Sequence, residues 1–183
     1  MLIIGITGTL GAGKGTIVDY LVREKKFTHY SVRTFLIKEI KKRNLPVNRD
    51  SMVLVANDLR ERHTPSYITD CLYEEAKKNN HNSIIESIRT PGEIISLRQK
   101  GYFLLIAVDA DITIRYQRIT LRGSETDKIS FEEFSENETR EMNSNDPNKQ
   151  NLRKCIEMAD IRIENNGNIT ELYNKLEYMH IKI

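Results

Sequence analysis

The chain has 183 residues, 39% hydrophobic and 30% charged, with a formal net charge of +2. That suits one α/β domain with a proper core and leaves too little charge to argue for a nucleic-acid or membrane surface. No stretch approaches the ~20 apolar residues of a membrane span. The first residues read as a core strand rather than a charged and then apolar leader. Cys71 and Cys155 lie far apart with no CxxC partner and read as free thiols in a reducing cytoplasm. His29, His63, His81 and His180 show no metal-ligand spacing, so no structural zinc is expected.

Strand and helix patterns alternate along the chain. Residues 2–7 form a strand, and 14–25 a helix with Ile17, Val18, Leu21 and Val22 on its inner face. A short strand follows at 28–31. Helices come next at 33–43, 49–62 and 65–79, the third opened by Thr64 as cap and Pro65 at the first position. Ser83-Ile84-Ile85-Glu86 is a short strand ending in an acid, and Pro91 opens a helix that stops at Lys100-Gly101. Residues 102–108 are almost wholly apolar, as a strand buried on both faces of a parallel sheet requires. A helix at 111–122, a polar stretch at 123–148 and a helix at 149–158 come next. Ile161-Arg162-Ile163 is an edge strand, and Asn165-Asn166-Gly167 turns into a closing helix at 168–179. With no repeat or linker, residues 1–183 read as one domain, a five-stranded parallel sheet flanked by helices on both faces. Ligands of such sheets bind beyond the strands' carboxyl ends, where the first loop, Glu86 and Asp109 all fall.

The most informative run is Gly8-Thr9-Leu10-Gly11-Ala12-Gly13-Lys14-Gly15-Thr16, directly between the first strand and the first helix. Its glycines free backbone N–H groups to converge on an anion, Lys14 adds an ammonium, and the helix N-terminus adds partial positive charge. These are the parts that hold the β- and γ-phosphates of a nucleoside triphosphate. Gly15 stands where Ser or Thr usually follows the lysine, and Thr16 comes one place later.

Two further groups carry chemistry. In Glu86-Ser87-Ile88-Arg89, an acid at a strand end can hold Mg²⁺ through water, and the arginine can grip a phosphoryl group. A surface ion pair is the plainer alternative. Arg115, Arg118 and Arg122 fall on one helix face, with Ile112 and Ile119 turned to the core. Such a row repels itself unless a triphosphate or neighbouring acids face it. Arg118 and Arg122 are assigned to the phosphates, and Arg115 is left between the two explanations.

The Gly-Lys-Gly-Thr variant resembles adenylate kinases and related nucleoside monophosphate kinases. Glu86 and Arg89 match the acid and arginine of that family's Asp-Gly-Phe-Pro-Arg segment. Ala159-Asp160 with the turn at Asn165-Asn166-Gly167 resembles dephospho-coenzyme A kinases, in which that turn lies beside the adenine. The whole chain is thus similar to small phosphate-loop kinases of the adenylate kinase-related and dephospho-coenzyme A kinase-like type. This resemblance implies a phosphate-loop NTPase fold with acceptor-side helices at 33–80 and a lid-like helical insertion at 123–146. The stretch 123–146 contains Phe131 and Phe134 as the apolar side of a short helix and has no cysteine quartet to bind zinc. Two departures bear on the acceptor, and in the first Tyr30-Ser31-Val32-Arg33 offers no acid where dephospho-coenzyme A kinases carry an Asp soon after the second strand. In Ser31-Val32-Arg33-Thr34-Phe35-Leu36-Ile37-Lys38, Ser31 and Leu36 match the adenylate kinase pattern, but Ile37 replaces its acceptor-binding arginine. Arg33, Arg60 and Arg62 are the substitutes, Arg60 foremost.

The resulting expectation is an ATP- and Mg²⁺-dependent transfer of the γ-phosphoryl group to a small phosphate-bearing, nucleotide-like acceptor. ATP is assigned to Gly8, Gly11, Ala12, Gly13, Lys14, Gly15, Thr16 and Asn166, and Mg²⁺ to Thr16 and Glu86. Catalysis is assigned to Lys14, Glu86, Arg89, Arg118 and Arg122. The alternative is an adenylate kinase-like ATPase that acts as a switch on a protein or RNA partner. No membrane or nucleic-acid surface is expected, and the sequence leaves the acceptor and the oligomeric state open.

Overall fold

The computed structural model describes residues 1–124 and 128–178. Its centre is β1 (Ile3–Gly8), buried along its whole length. The sheet runs β2 (Thr28–Ser31), β3 (Ser83–Glu86), β1, β4 (Phe103–Asp109), β5 (Ile161–Glu164), with every neighbouring pair parallel. Register sets Ile6 against Glu86 and Gly8 against Val108, so the carboxyl ends of β3, β1 and β4 gather at one edge. As expected, β5 lies at an edge.

Strand side chains alternate between two cores, which is why these strands are apolar throughout. Ile3, Ile85 and Leu105 face a core completed by α2 (Val32–Lys42), α3 (Arg49–Arg62), α4 (Tyr67–Asn79) and α5 (Pro91–Gln99). Ile4, Ile6, Ile84, Ile106 and Val108 face the opposite core, with α1 (Lys14–Lys25) and α9 (Ile169–Tyr178). Between β4 and β5 lie α6 (Ile112–Arg122), α7 (Phe131–Met142) and α8 (Leu152–Glu157). No helix among the described residues is long and apolar enough to cross a membrane.

The structure corrects three local expectations. α4 begins at Tyr67 after Ser66, not at Pro65. Pro65 instead sits against Gly92, and its carbonyl accepts the Thr90 hydroxyl at 3.2 Å, which draws it out of the helix. On α1 the inner face takes Tyr20, packed on Tyr173 with ring centres 5.1 Å apart, whereas Val22 is at the margin and exposed. α8 starts at Leu152, capped by the Asn151 side chain, rather than at 149. Residue 179 of the expected closing helix and His180 lie outside the described residues, as do 125–127 of the expected lid.

Candidate functional site

After β1 the chain makes a tight loop over the sheet edge. Gly11 has φ +81°, and a Cβ there would stand 2.5 Å from the Arg115 carbonyl oxygen. Gly13 has φ +106°, and a Cβ there would stand 2.5 Å from the Asn165 amide nitrogen. Both positions therefore need glycine for backbone conformation and for space. Gly13 is also the N-cap of α1 and supplies no side-chain cap. The first-turn N–H groups are thereby left for an anion, which the helix dipole favours. Gly15 is exposed, with open space where a side chain would begin, and Thr16 is half-buried in the same turn.

Lys14 folds back over this loop and donates from Nζ to the Gly8 and Thr9 carbonyls, at 2.8 and 2.6 Å. Burial, followed by repulsion from Arg89 and then Arg122, pushes its ammonium down to about 7, against the pull of Glu86 and Glu141. Glu86, Arg89 and Arg122 are thus all within electrostatic reach of Lys14, as phosphate chemistry requires. Glu86 ends β3, where it accepts the Ser31 hydroxyl at 3.2 Å and stands 3.9 Å from His29 Nε2. Thr16 and Glu86 offer hard oxygen donors beside the loop, a set that suits Mg²⁺ shared with phosphate oxygens.

Arg89 follows β3 and turns its guanidinium to Glu141 on α7 and to the Gln150 carbonyl oxygen at 3.1 Å. The other oxygen of Glu141 accepts from Arg49, the first residue of α3. Burial raises the Glu141 carboxyl pKa, but Arg89 and Arg49 together outweigh it and hold the group below the usual carboxylate range.

The arginine row of α6 divides. Arg115 is buried and is held by Glu138 of α7 through both guanidinium ends, by the Ala110 carbonyl at 2.7 Å and by the Leu10 carbonyl at 3.4 Å. Of the two explanations left open for Arg115, a neighbouring acid is the one realised. Arg118 donates to the Asn165 and Gly167 carbonyls, both at 2.9 Å, and so braces the turn after β5. In that turn the Asn166 amide accepts from the Asp111 N–H at 2.7 Å and donates to Glu164 at 2.6 Å. Among the substitute acceptor arginines, Arg60 is buried against Glu93 at 3.0 Å, Arg62 pairs with Asp58, and Arg33 reaches the Met52 sulfur.

Four residues of this assembly were not anticipated. Asn165 donates its amide to the Ala12 carbonyl at 2.8 Å, pinning the phosphate loop from 153 positions away. Nothing in a bare Asn-Asn-Gly turn ranks Asn165 above its neighbour Asn166. Glu138 and Glu141 follow Phe134 at helical spacing, so all three lie on one stripe. That spacing was legible, but the partners were not. Arg49 gave no local signal.

A glycine loop between the central strand and its helix, a half-buried lysine over it, and an acid and an arginine at the neighbouring strand end define a phosphate-loop kinase-like protein. The chain belongs to the AAA domain family, whose profile matches residues 4–144, and to the UPF0200 proteins. It is 31% identical over its full length to a UPF0200 protein of Methanococcus maripaludis, covering 98% of that protein. A UPF0200 protein of Methanocaldococcus jannaschii is 29% identical over 97% of this chain and 88% of its own. Among solved structures, TT1252 from Thermus thermophilus has a TM-score of 0.64 at 19% identity, covering 100% of this chain and 97% of that one. Shikimate kinase from Aquifex aeolicus has a TM-score of 0.52 at 16% identity, covering 97% and 98%. At these identities the likeness speaks for the fold.

Proposed function

We propose that the protein is an ATP- and Mg²⁺-dependent phosphotransferase that moves the γ-phosphoryl group to a small nucleotide or nucleotide-like acceptor. The observation that carries this reading is the gathering of Lys14, Glu86 and Arg89 at the mouth of the glycine loop. Kinase names on solved folds of this shape support the reaction class.

Lys14 leaves the Gly8 and Thr9 carbonyls for the β- and γ-phosphates, while the loop amides from Gly11 to Gly15 hold them. Thr16 and Glu86 would hold a Mg²⁺ ion, which would supply charge neutralisation on the phosphates. A loose phosphoryl transition state asks little covalent chemistry of the protein, so positioning and neutralisation do most of the catalysis. Arg89 and Arg122 face the transferring group. Arg118 acts one step back, by fixing the turn that carries Asn166 towards the base. An acceptor phosphate oxygen needs no base, whereas for a hydroxyl acceptor Glu86 is the placed carboxylate. Of the expected lid, the described residues 128–146 are assigned to cover this mouth, since α7 meets Arg89 there through Glu141.

The test is incubation with ATP, Mg²⁺ and a panel of acceptors comprising nucleoside monophosphates, dephospho-coenzyme A and small polyols. Stoichiometric phosphorylated acceptor supports the reading. Free phosphate alone refutes it and favours an ATPase switch, the alternative suggested by Ile37 in place of an acceptor arginine.

A further inference from the structure

α7 is an unusual helix to dock against a protein core. Its inward side chains are Phe134, Asn137, Glu138 and Glu141, one aromatic followed by an amide and two carboxylates, and the other glutamates of the helix, Glu132, Glu133 and Glu136, add to its negative charge. Phe134 is fully buried beside Tyr116, which anchors the first turns. The last turn is held through Glu141. That carboxylate is itself largely buried and receives two guanidiniums from unrelated elements, Arg49 from α3 and Arg89 from the end of β3. Each takes a different oxygen, the pattern in which arginines grip a phosphate.

The position of Glu141 matters as much as its partners. It lies beside the phosphate loop, lining with Leu10, Arg49, Phe134, Glu138 and Leu152 a cleft of about 10 Å³. A cleft of that size takes about one water and no phosphate group. The Glu141 carboxylate sits between the two guanidiniums, one on each oxygen, so an anion that bridges both must take its place.

We propose that Glu141 is a built-in competitor for a phosphate-sized anion at the Arg49–Arg89 pair, so that filling the pair and docking the last turn of α7 exclude each other. That the anion belongs to the phosphoryl acceptor rests on the phosphotransferase reading above. The exchange itself does not. Two half-buried guanidiniums converging on one point repel each other without an anion between them, and Glu141 supplies that anion. A dianionic phosphate offers more charge and more acceptor oxygens than a carboxylate, so it displaces Glu141 when present at sufficient concentration. The apparent affinity for the incoming anion is reduced by the work of undocking α7.

Inorganic phosphate is the probe, titrated calorimetrically at constant ionic strength into the wild type, Glu141→Gln, and the double variant Glu141→Gln with Arg49→Gln. The expected result is at least about tenfold tighter phosphate binding in Glu141→Gln, lost again in the double variant. No gain in the single variant, or a gain that survives loss of Arg49, overturns the proposal, since the phosphate then sits on the loop alone. A further arm repeats the titration with the loop filled by Mg²⁺ and a non-hydrolysable ATP analogue. Phosphate must still bind there, and exclusion by the analogue overturns the assignment to the acceptor. Should Glu141→Gln fail to fold, hydrogen exchange on the wild type decides. Phosphate must lower protection over 138–151 while 131–137 stays protected, and unchanged protection at saturating phosphate refutes the exchange. An inactive protein that passes these tests refutes the phosphotransferase reading alone. An active kinase that fails them refutes only the role of Glu141.

Discussion

Filling the loop changes the surroundings of Lys14, and that change is countable in protons. In the empty site burial and Arg89 hold its ammonium near 7, against an ordinary value of 10.5. At pH 8 roughly one Lys14 in ten is then charged. A triphosphate brings β- and γ-oxygens to Nζ and offsets the Arg89 charge, returning the group towards its ordinary value. Binding should therefore take up about 0.9 proton at pH 8, about 0.5 at pH 7 and almost none at pH 5.5. Calorimetry of Mg²⁺ with a non-hydrolysable ATP analogue, run in Tris and in HEPES, reads this number from the dependence of the enthalpy on buffer ionisation. Lys14→Met should remove the uptake. An uptake below about 0.3 at pH 8, or one that persists in Lys14→Met, refutes the assignment of Lys14 to the phosphates. Linkage gives a second reading on the empty protein. Because the folded value is depressed, the unfolded chain binds the extra proton between pH 7 and 10.5, so Lys14 makes stability rise across that window.

Glu86→Gln keeps the size of the side chain and removes its charge. Turnover should fall by about 10²-fold or more with nucleotide affinity little changed, and early melting with lost nucleotide binding would instead mark Glu86 as a structural acid. Arg115→Ala leaves Glu138 without its buried partner and frees the Ala110 carbonyl, so denaturant unfolding should show a loss of about 3–5 kcal/mol. A loss under about 1 kcal/mol would return Arg115 to the phosphates. Asn165→Ala removes the bond to the Ala12 carbonyl and should cost about 1–3 kcal/mol. It should weaken nucleotide binding in calorimetry, and unchanged affinity would show that the loop holds its shape unaided.

What could be read from the sequence was what is local. The glycine run works through its own backbone, and Phe103 to Val108 is apolar because both faces of that strand are covered, so loop and strand were legible residue by residue. Helical spacing likewise put Arg115, Arg118 and Arg122 on one side of α6. It could not say that Arg115 meets Glu138 across 23 positions, or that Arg89 meets Glu141 across 52. Those pairings follow from how α7 folds back over the sheet edge, and a polar stretch with two phenylalanines does not encode a direction. The start of α4 was lost for the same reason, since Thr90 draws Pro65 away from 25 positions off.

The arginines of the site are of two kinds, and the difference lies in what they hold. Arg118 grips main-chain carbonyls, and so does Arg115 beside its carboxylate. Those oxygens cannot leave without unmaking the loop or the turn, so these two arginines fix the frame. The guanidinium partners of Arg89 among the described residues are side chains, Glu141 and Gln150, which can swing away while the backbone stays. Arg89 is therefore the exchangeable cation, and its exchange is tied to Lys14, because Glu141 pulls the Lys14 ammonium up while Arg89 pushes it down. Taking the charge from Glu141 leaves Arg89 uncompensated and must lower Lys14 below its value of about 7 in the empty site. At pH 7 the wild-type lysine is about half charged, so Glu141→Gln should raise proton uptake on nucleotide binding from about 0.5 towards one. The same two-buffer calorimetry measures it. An uptake at pH 7 equal to that of the wild type would mean that Glu141 and Lys14 do not share one field, and the exchange of carboxylate for phosphate would lose its electrostatic basis.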